Sequence, residues 1–424
     1  MGQIVSISIK NYDFLSYKNT FGDLLMIYSE DDLYVSKYIE DGEEYTRYCF
    51  KTTVERAKRC LDCIGCTVDH AKADFEINKE AMIDFAEYMG DEYCFYPNDS
   101  ISIETLREEF TFEAWAEAAK RYARLASEDR YDSGIQNYEK IEEESKKTTL
   151  SCAEKIVLNA FPFCEDKFFG LSYGEINPWN IFRVLLDGFD PDEEVILDYT
   201  YLFSSGWCDE FPKEEEFCVS KTIILTEGKY DATVISKSMK LLYPYMCKFY
   251  AFINFDDYKV QGSTNFLTHY LKAFIAAGVE NRVIALYDND SAGQAEILEL
   301  QKINRPDNFR WLKLPEIDIA KDYPTIGPSG NENMDINGKA CSIELFLGTD
   351  VLKENPDESD AFIPIQWKGY IEKTGTYQGE ILRKALVQKR FDDKIEDAIS
   401  QGNVEWDKWR EMDVLLKTIF GAFV

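Results

Sequence analysis

The chain has 424 residues, of which 45 % are hydrophobic and 14 % aromatic, so it is long and apolar enough for two or three packed domains. This composition excludes a disordered protein, and no apolar run approaches the length of a membrane helix. The opening residues, MGQIVSISIKNYDF, lack the basic and apolar blocks of a signal peptide. Eleven cysteines without such a signal indicate reduced thiols, so we expect a cytoplasmic protein with no membrane partner.

The charge is unevenly distributed. With 47 basic and 78 acidic side chains the net charge is −31, which disfavours nucleic acid as a partner of the whole surface. Residues 1–220 hold 22 basic and 47 acidic side chains, a net charge of −25, whereas residues 221–424 hold 25 basic and 31 acidic side chains. The second half can therefore still present a local basic surface.

The front half is predicted to contain an α+β domain at residues 1–75 and a mainly helical region with a linker at 76–220. QIVSISI and LLMIYS are typical of strands, and TTVERAKRCLDCIG predicts a helix closed by Gly65. The stretch SIETLREEFTFEAWAEAAKRYARLA predicts one long helix. Three cysteines at C-x2-C-x2-C spacing fall within a helical pattern, which favours buried thiols over metal ligands: Cys60, Cys63 and Cys66.

From Lys221 onward, strand and helix patterns alternate. TIILTEG, KFYAFINF, RVIALYD and FRWLKLP predict strands, and the segments between them predict helices. This order predicts a Rossmann-like parallel sheet flanked by helices over residues 221–350, in which ligands bind beyond the carboxyl ends of the strands. Residues 351–424 are predicted to form a small C-terminal helical extension.

Three acidic residues follow two of these strands. Glu227 comes after TIILT, and Asp288 and Asp290 come after VIALY. Carboxylates brought together are costly unless a cation neutralises them, and oxygen ligands favour Mg²⁺ or Mn²⁺. Gly228 and Gly293 would allow close backbone approach. An Asp-x-Asp turn alone also fits a capped helix N-terminus, but the Glu-Gly pair about sixty residues earlier favours a metal site.

ILTEGKYDATVI followed by VIALYDNDSAG resembles the Toprim domain of topoisomerases, bacterial-type primases, and OLD-family and related nucleases. The resemblance covers about residues 221–350. It implies that Glu227 is the acidic catalytic residue, that Asp288 and Asp290 hold a divalent metal, and that Asp231 supports the site.

MGQIVSISIKNYDFLSYKN, VERAKRCLDCIGCTV and NGKACSIELFLG resemble bacterial proteins described as HEPN/Toprim-associated. That resemblance implies an antiviral defence effector, with a regulatory or sensor protein, or a second copy of the chain, as partner. HEPN ribonucleases use an Arg followed by a His, whereas neither His70 nor His269 has an Arg four to seven positions before it. We therefore expect the front half to be a scaffold, regulator or oligomerisation surface.

Further residues are candidates for the site. Asp322, or alternatively Asp318, is a candidate metal ligand, although a surface loop explains this Pro/Gly-rich segment equally well. Lys339 is a candidate for phosphate contact and Glu344 for metal contact, with an ordinary helix start as the alternative. A basic cluster beside aromatics predicts a nucleic-acid-binding patch or a solvated helix face: Arg383, Lys384, Lys389 and Arg390.

The leading hypothesis from the sequence is a metal-dependent nuclease of DNA or RNA, transfer RNA included. A topoisomerase needs a DNA gate and a primase a polymerase region, and neither is recognisable. The alternatives are a primase- or topoisomerase-like phosphoryl transferase, and a non-catalytic module that binds a nucleotide or an assembly partner. An intact acid set favours the enzymes.

Overall fold

A computed structural model gives the fold of the chain. It describes residues 3–40, 42–90, 92–95, 99–128, 131–132, 135–136, 139–147, 149–160, 169–171, 176–212, 219–253, 264–328, 330–355 and 361–424. The chain divides into a first compact unit, Met1–Cys218, and a second, Val219–Phe423. Part of the predicted linker, residues 213–218, and the end of the predicted strand KFYAFINF lie outside the described residues.

The first unit contains a five-stranded antiparallel sheet in the order β2-β1-β9-β4-β3. Its strands are β1 (Ile4–Ile9), β2 (Tyr12–Lys18), β3 (Leu33–Glu40), β4 (Glu43–Thr53) and β9 (Glu194–Asp198). Two short hairpins are formed by β5 (Glu92–Phe95) with β6 (Asp99–Ser102) and by β7 (Tyr131–Asp132) with β8 (Ile135–Gln136). The helices are α1 (Val54–Ile64), α2 (Val68–Met89), α3 (Ile103–Glu109), α4 (Phe112–Ser127), α5 (Glu139–Ser145), α6 (Cys152–Ala160), α7 (Pro178–Leu185) and α8 (Thr200–Ser204).

Local patterns predicted part of this unit. Helix α1 ends at Gly65, whose φ of 93° is the left-handed conformation expected of a glycine C-cap. The predicted strand LLMIYS is wrong, because residues Gly22–Ile27 form a 3-10 helix that buries Leu24 and Leu25. The predicted long helix is interrupted between α3 and α4, where Thr111 accepts a hydrogen bond from the backbone N–H of Ala114 and starts a new helix.

Strand β9 joins distant parts of the first unit. It lies between β1 and β4, so residues beyond 190 complete a sheet begun by the first 53 residues. The stretches predicted as separate at 1–75 and 76–220 therefore share one sheet. The three cysteines of the C-x2-C-x2-C pattern are buried, as expected for thiols packed in a helical region: Cys60, Cys63 and Cys66.

The second unit is built on a parallel sheet in the order β11-β10-β12-β14. The strands of this unit are β10 (Thr222–Thr226), β11 (Tyr250–Phe252), β12 (Val283–Tyr287), β13 (Asn289–Asp290), β14 (Phe309–Lys313), β15 (Tyr323–Gly327), β16 (Gly330–Met334), β17 (Ala340–Cys341), β18 (Ile365–Ile371) and β19 (Thr376–Ile381). Its helices are α9 (Lys229–Leu242), α10 (Thr264–Ala276), α11 (Ser291–Leu300), α12 (Thr349–Leu352), α13 (Lys384–Gln401) and α14 (Arg410–Phe420).

Helices on both sides explain why the central strand is apolar throughout. Every residue of β12 is buried. Helices α10 and α11 contribute Leu267, Leu271 and Leu300 to one cluster with side chains of the central strands. Helix α9 contacts β10 and packs with a different pair of helices, α13 and α14. The predicted parallel sheet flanked by helices is thereby confirmed.

The order of the strands reverses between β10 and β12. The chain leaves β10 through α9 toward β11 on one side, and leaves β12 through α11 toward β14 on the other. Such a reversal opens a crevice at the carboxyl ends of the two strands. Glu227 and Asp288 are the first residues after these strands, so both stand at the crevice.

The C-terminal region is not only helical. A second sheet in the order β16-β15-β18-β19 includes a hairpin formed by β18 and β19. The alternation of exposed and buried side chains in TYQGEI is strand-like, and its pairing with IQWKGYI could not be seen in either segment alone. The small strands β13 and β17 pair Asp290 with Ala340.

We predict that Arg183→Met destabilises the first unit. Arg183, whose side chain is 10 % exposed, donates to Asp62 at 2.7 Å and to Asp187 at 3.1 Å. Its loss leaves the carboxylate of Asp62 without a partner, although Asp187 keeps its ion pair with Lys58, and this costs about 2–3 kcal/mol. The free energy of unfolding in urea measures this. The control, Arg107→Met, removes an exposed pair with Glu87 and should cost less than about 0.5 kcal/mol. Equal losses would contradict the prediction.

Candidate functional site

Glu227 is held at the crevice by two donors. Its Oε1 accepts from the backbone N–H of Asp288 at 3.0 Å, and its Oε2 accepts from the hydroxyl of Thr264 at 2.6 Å. The first of these hydrogen bonds joins the ends of β10 and β12 directly. Glu227 therefore occupies the position predicted from the strand order, beside the aspartates.

Asp290 caps helix α11. Its Oδ1 accepts from the backbone N–H of Gly293 at 2.8 Å, and its Oδ2 accepts from the side-chain amide of Gln378. Gln378 also accepts from the backbone N–H of Ala292 at 3.1 Å. The capped-helix interpretation of the Asp-x-Asp turn is thus correct for Asp290, and strand β19 fixes the orientation of its carboxylate.

The two glycines of the sequence motif differ in their role. A Cβ on Gly293 would lie 2.2 Å from the backbone oxygen of Asp288, so only glycine permits this approach of α11 to the strand end. A Cβ on Gly228 would have its nearest neighbour at 3.7 Å, an ordinary contact. Gly228 instead donates its N–H to Asp231 at 3.0 Å, which places that carboxylate at the start of α9.

A fifth carboxylate, Glu344, completes the group. Its side chain is 0 % exposed and accepts from Ser342 at 2.7 Å and from Gln388 at 2.9 Å. Lys384, at the start of α13, lies 3.1 Å from the same carboxylate. The ion pair adds one cation to the acidic group.

The charges of these carboxylates act on one another. Burial, together with the charges of Asp290 and Asp231, raises the pKa of Glu227 to about 7, although its hydrogen bonds from Thr264 and Asp288 act in the opposite direction. Burial and the charge of Glu344 raise the pKa of Asp231 to about 6. Burial, followed by the charge of Glu227, raises the pKa of Asp288 well above its usual range. The crevice therefore collects more negative charge than Lys384 neutralises.

The donor chemistry fits a hard divalent cation. Carboxylate oxygens with raised pKa values at one crevice are the ligands that Mg²⁺ and Mn²⁺ prefer, and each would be relieved by a cation. The side chains are not already arranged around one point: in the described ranges, no three His, Cys, Asp or Glu side chains converge closely enough to hold an ion together. Ligation would therefore require rotation of side chains such as Glu227 and Asp290, whose oxygens accept hydrogen bonds from the protein.

Two other predicted acidic residues are exposed at the surface. Asp322 is exposed on the turn before β15, and Asp318 is exposed and paired with Lys321 at 2.7 Å. Lys339, the remaining predicted residue, forms a backbone bridge to Asp290. Its ammonium donates to the backbone oxygen of Asp335 at 2.9 Å.

The four predicted basic residues have different surroundings. Lys384 pairs with Glu344, whereas Arg390 donates to the backbone oxygens of Val351 and Lys353 and so anchors that segment. Arg383 and Lys389 are exposed. Only Lys384 is thereby placed against the carboxylates.

Sequence reasoning missed the residues that orient the acids. Thr264 and Gln378 carry no charge and lie 37 and 88 positions from their partners, so no local pattern revealed them. Glu344, in contrast, is named as a candidate from the sequence, and it is also the one charged residue in the apolar run CSIELFL. A charge in such a run requires a partner when buried.

We predict that Gly293→Ala destabilises the second unit by about 2 kcal/mol, because the added methyl group collides with the backbone of Asp288. The matched control Gly228→Ala has room for its methyl group and should cost less. Urea midpoints of both variants measure the difference. Similar midpoints for the two variants would show that the backbones are not in close contact.

Comparisons with known proteins bear on the front half of the chain. Residues 1–222 match the family described as HEPN/Toprim N-terminal domain 1. No curated protein and no solved structure matches the chain. Among the described residues, no helix combines the length and apolarity needed to cross a membrane. The match covers more than half of the chain, which therefore belongs to the HEPN/Toprim N-terminal domain 1 family.

Proposed function

We propose that the second unit is a divalent-metal-dependent nuclease that hydrolyses phosphodiester bonds of DNA or RNA. One observation carries the proposal: beside the strand reversal, the charges of four carboxylates act on Asp288, and the pKa values of Glu227, Asp231 and Asp288 are raised. Shifted acids in a crevice of an α/β sheet are typical of a catalytic site. The resemblance of this segment to the Toprim domain supports the same chemistry.

The residues that would hold Mg²⁺ or Mn²⁺ are Glu227, Asp288 and Asp290, with Asp231 and Glu344 beside them. When bound, such a cation supplies a polarised water and neutralises charge on the phosphate. Glu344 takes the place that the sequence interpretation gave to Asp322, because Glu344 is buried within the group and Asp322 is exposed.

The chain's own residues supply the remaining tasks. Glu227 has a pKa of about 7 and can exchange a proton near neutral pH. Lys384 is partly exposed at the edge of the group, where its charge can attract a phosphate. Gln378 acts as a positioning residue, because its amide holds the carboxylate of Asp290.

The biological setting is also a proposal. The resemblance to HEPN/Toprim-associated proteins suggests an antiviral effector whose nuclease responds to a sensor protein, or to a second copy of the chain. The acidic front half, with a net charge of −25 over residues 1–220, would repel nucleic acid until a partner reorganises it. This assigns regulation to the first unit and chemistry to the second.

A non-catalytic nucleotide-binding or assembly module is the second candidate. It is favoured by the hydrogen bonds that occupy both oxygens of Glu227 and of Asp290. In such a module the carboxylates would cap helices and organise loops without exchanging protons. Metal binding and cleavage distinguish the two candidates.

We predict that Mn²⁺ stabilises the protein more at pH 8 than at pH 5.5. The raised pKa values mean that the folded state retains protons which the unfolded state loses, so stability without metal falls as the pH rises from about 4.5 through 7. Cation binding needs the deprotonated acids. When the concentration of free Mn²⁺ is about one hundred times its Kd, we expect the melting temperature to rise by about 5 °C at pH 8.

Asp288→Asn is the control for this thermal measurement. It removes one candidate metal ligand from the group, so it should abolish the response to Mn²⁺ at pH 8. A variant that responds to Mn²⁺ as the wild type does would show that the cation binds elsewhere.

We predict that the wild type cleaves plasmid, single-stranded DNA or total RNA with Mg²⁺ or Mn²⁺ and not with EDTA. Glu227→Gln and Glu344→Gln keep the shape and one of the two hydrogen-bond acceptors but remove the charge, and should each lower the rate at least ~100-fold. Asp322→Asn is the matched control at an exposed acid and should keep the wild-type rate. Cleavage that persists in Glu227→Gln would rule out this site, and absence of both metal binding and cleavage would favour the assembly module.

A further inference from the structure

A groove of about 500 Å³ lies beside the acidic group in the second unit. It is lined by aromatic, charged and apolar side chains, among them Trp367, Tyr377, Met334, Lys339, Glu332 and Thr376. Ligand sites are concave and mostly apolar, with a small number of polar groups that fix orientation. The size and the mixture of side chains suit an aromatic ring system attached to an anion.

The indole of Trp367 is set into a slot between two glycines. A Cβ on Gly379 would lie 3.1 Å from the ring, and a Cβ on Gly327 would also lie 3.1 Å from it. A β-bulge between Trp367 and Gly369 shifts the pairing of β18 with β19 at this point. Bulges commonly re-aim side chains next to active sites. The position of this ring is therefore fixed by its surroundings.

The groove shares its walls with the candidate active site. Lys339 forms a backbone bridge to Asp290, and the backbone oxygen of Tyr377 accepts from the hydroxyl of Ser291 at 2.9 Å. Gln378, the next residue of β19, holds the carboxylate of Asp290. The groove and the carboxylate of Asp290 are therefore neighbours across strand β19.

The charge of Lys339 is available to an anion. Its ammonium donates to a neutral backbone oxygen, that of Asp335, and within the described residues it forms no ion pair. The indole N–H of Trp367 likewise donates to no acceptor in the described part of the chain. An aromatic face, an N–H donor and an ammonium group together match a nucleobase and its phosphate.

We propose that this groove binds an unpaired base of the nucleic-acid strand whose phosphate lies at the acidic group, so that the substrate is single-stranded or locally unpaired. The proposal rests on the nuclease function proposed above. A base within a duplex is stacked on both faces and must be extruded before it can reach such a groove. Stacking on Trp367 or Tyr377 tolerates any base, so we expect little sequence preference.

The test measures binding separately from cleavage. The probe is a fluorescein-labelled oligonucleotide of about 15 nucleotides and mixed sequence, prepared as single-stranded DNA, single-stranded RNA and duplex DNA. Each probe is titrated with the protein in the presence of EDTA, and binding is followed by fluorescence anisotropy. We expect the wild type to prefer a single strand. Trp367→Leu should weaken that binding roughly tenfold, as expected for the loss of one stacked base. The comparison of DNA with RNA identifies the sugar that is accepted.

Three variants complete the test. Trp367→Phe keeps an aromatic ring and should retain most of the affinity, and Trp406→Leu removes a 52 % exposed indole elsewhere in the unit and should have no effect. If Trp367→Leu does not fold, Tyr377→Leu decides, because Tyr377 is 57 % exposed and its replacement leaves no internal cavity.

The outcomes distinguish this inference from the proposed function. Equal affinity of the wild type for single strand and duplex, or wild-type affinity in both Trp367→Leu and Tyr377→Leu, would overturn the inference even if metal-dependent cleavage is observed. Binding of single strands that depends on Trp367 without any cleavage would support the inference and remove the nuclease function. Failure of the wild type to bind any of the three probes would overturn the inference.

Discussion

Carboxylates held out of water at the ends of β10 and β12 impose the main constraint on the second unit. The pKa of Glu227 rises from 4.5 to about 7, which corresponds to about 3 kcal/mol against its charged form. Burial of β12 opposes this cost, since a buried Val or Ile side chain stabilises by about 1.5–3 kcal/mol. The apolar strand and the acidic residues that follow it therefore depend on each other, and a bound cation would relieve the remaining repulsion.

Much of the sheet could be predicted because its signals are local. Apolar runs such as VIALY, and helices that begin directly after them, appear in short windows of sequence, and Glu227 and Asp288 follow from strand order. The residues that orient these acids could not be predicted, because Gln378 reaches Asp290 only through the pairing of β18 with β19. For LLMIYS a local signal was present but led to the wrong element. A short apolar run fits a strand or a buried turn equally well until its packing is known.

The segment that matches the family and the candidate catalytic carboxylates lie in different parts of the chain. The family match ends at residue 222, where β10 begins, and each of the five carboxylates lies after it. The first unit supplies most of the negative charge and the second supplies the crevice. Membership in the family therefore does not by itself indicate whether a given relative retains the acids, which must be read from the second half of each sequence.

Two neighbouring features, the lining of the groove and the contact with Asp290, depend on the register of strand β19, because its side chains alternate in direction. Tyr377 lines the groove while Gln378 contacts Asp290, because successive residues of a strand face opposite ways. A deletion of one residue within β19 would exchange these faces and abolish both contacts together. A change of length in the turn at residues 372–375 would leave them in place. Among relatives, insertions should therefore accumulate at this turn and be absent from the strand that follows it.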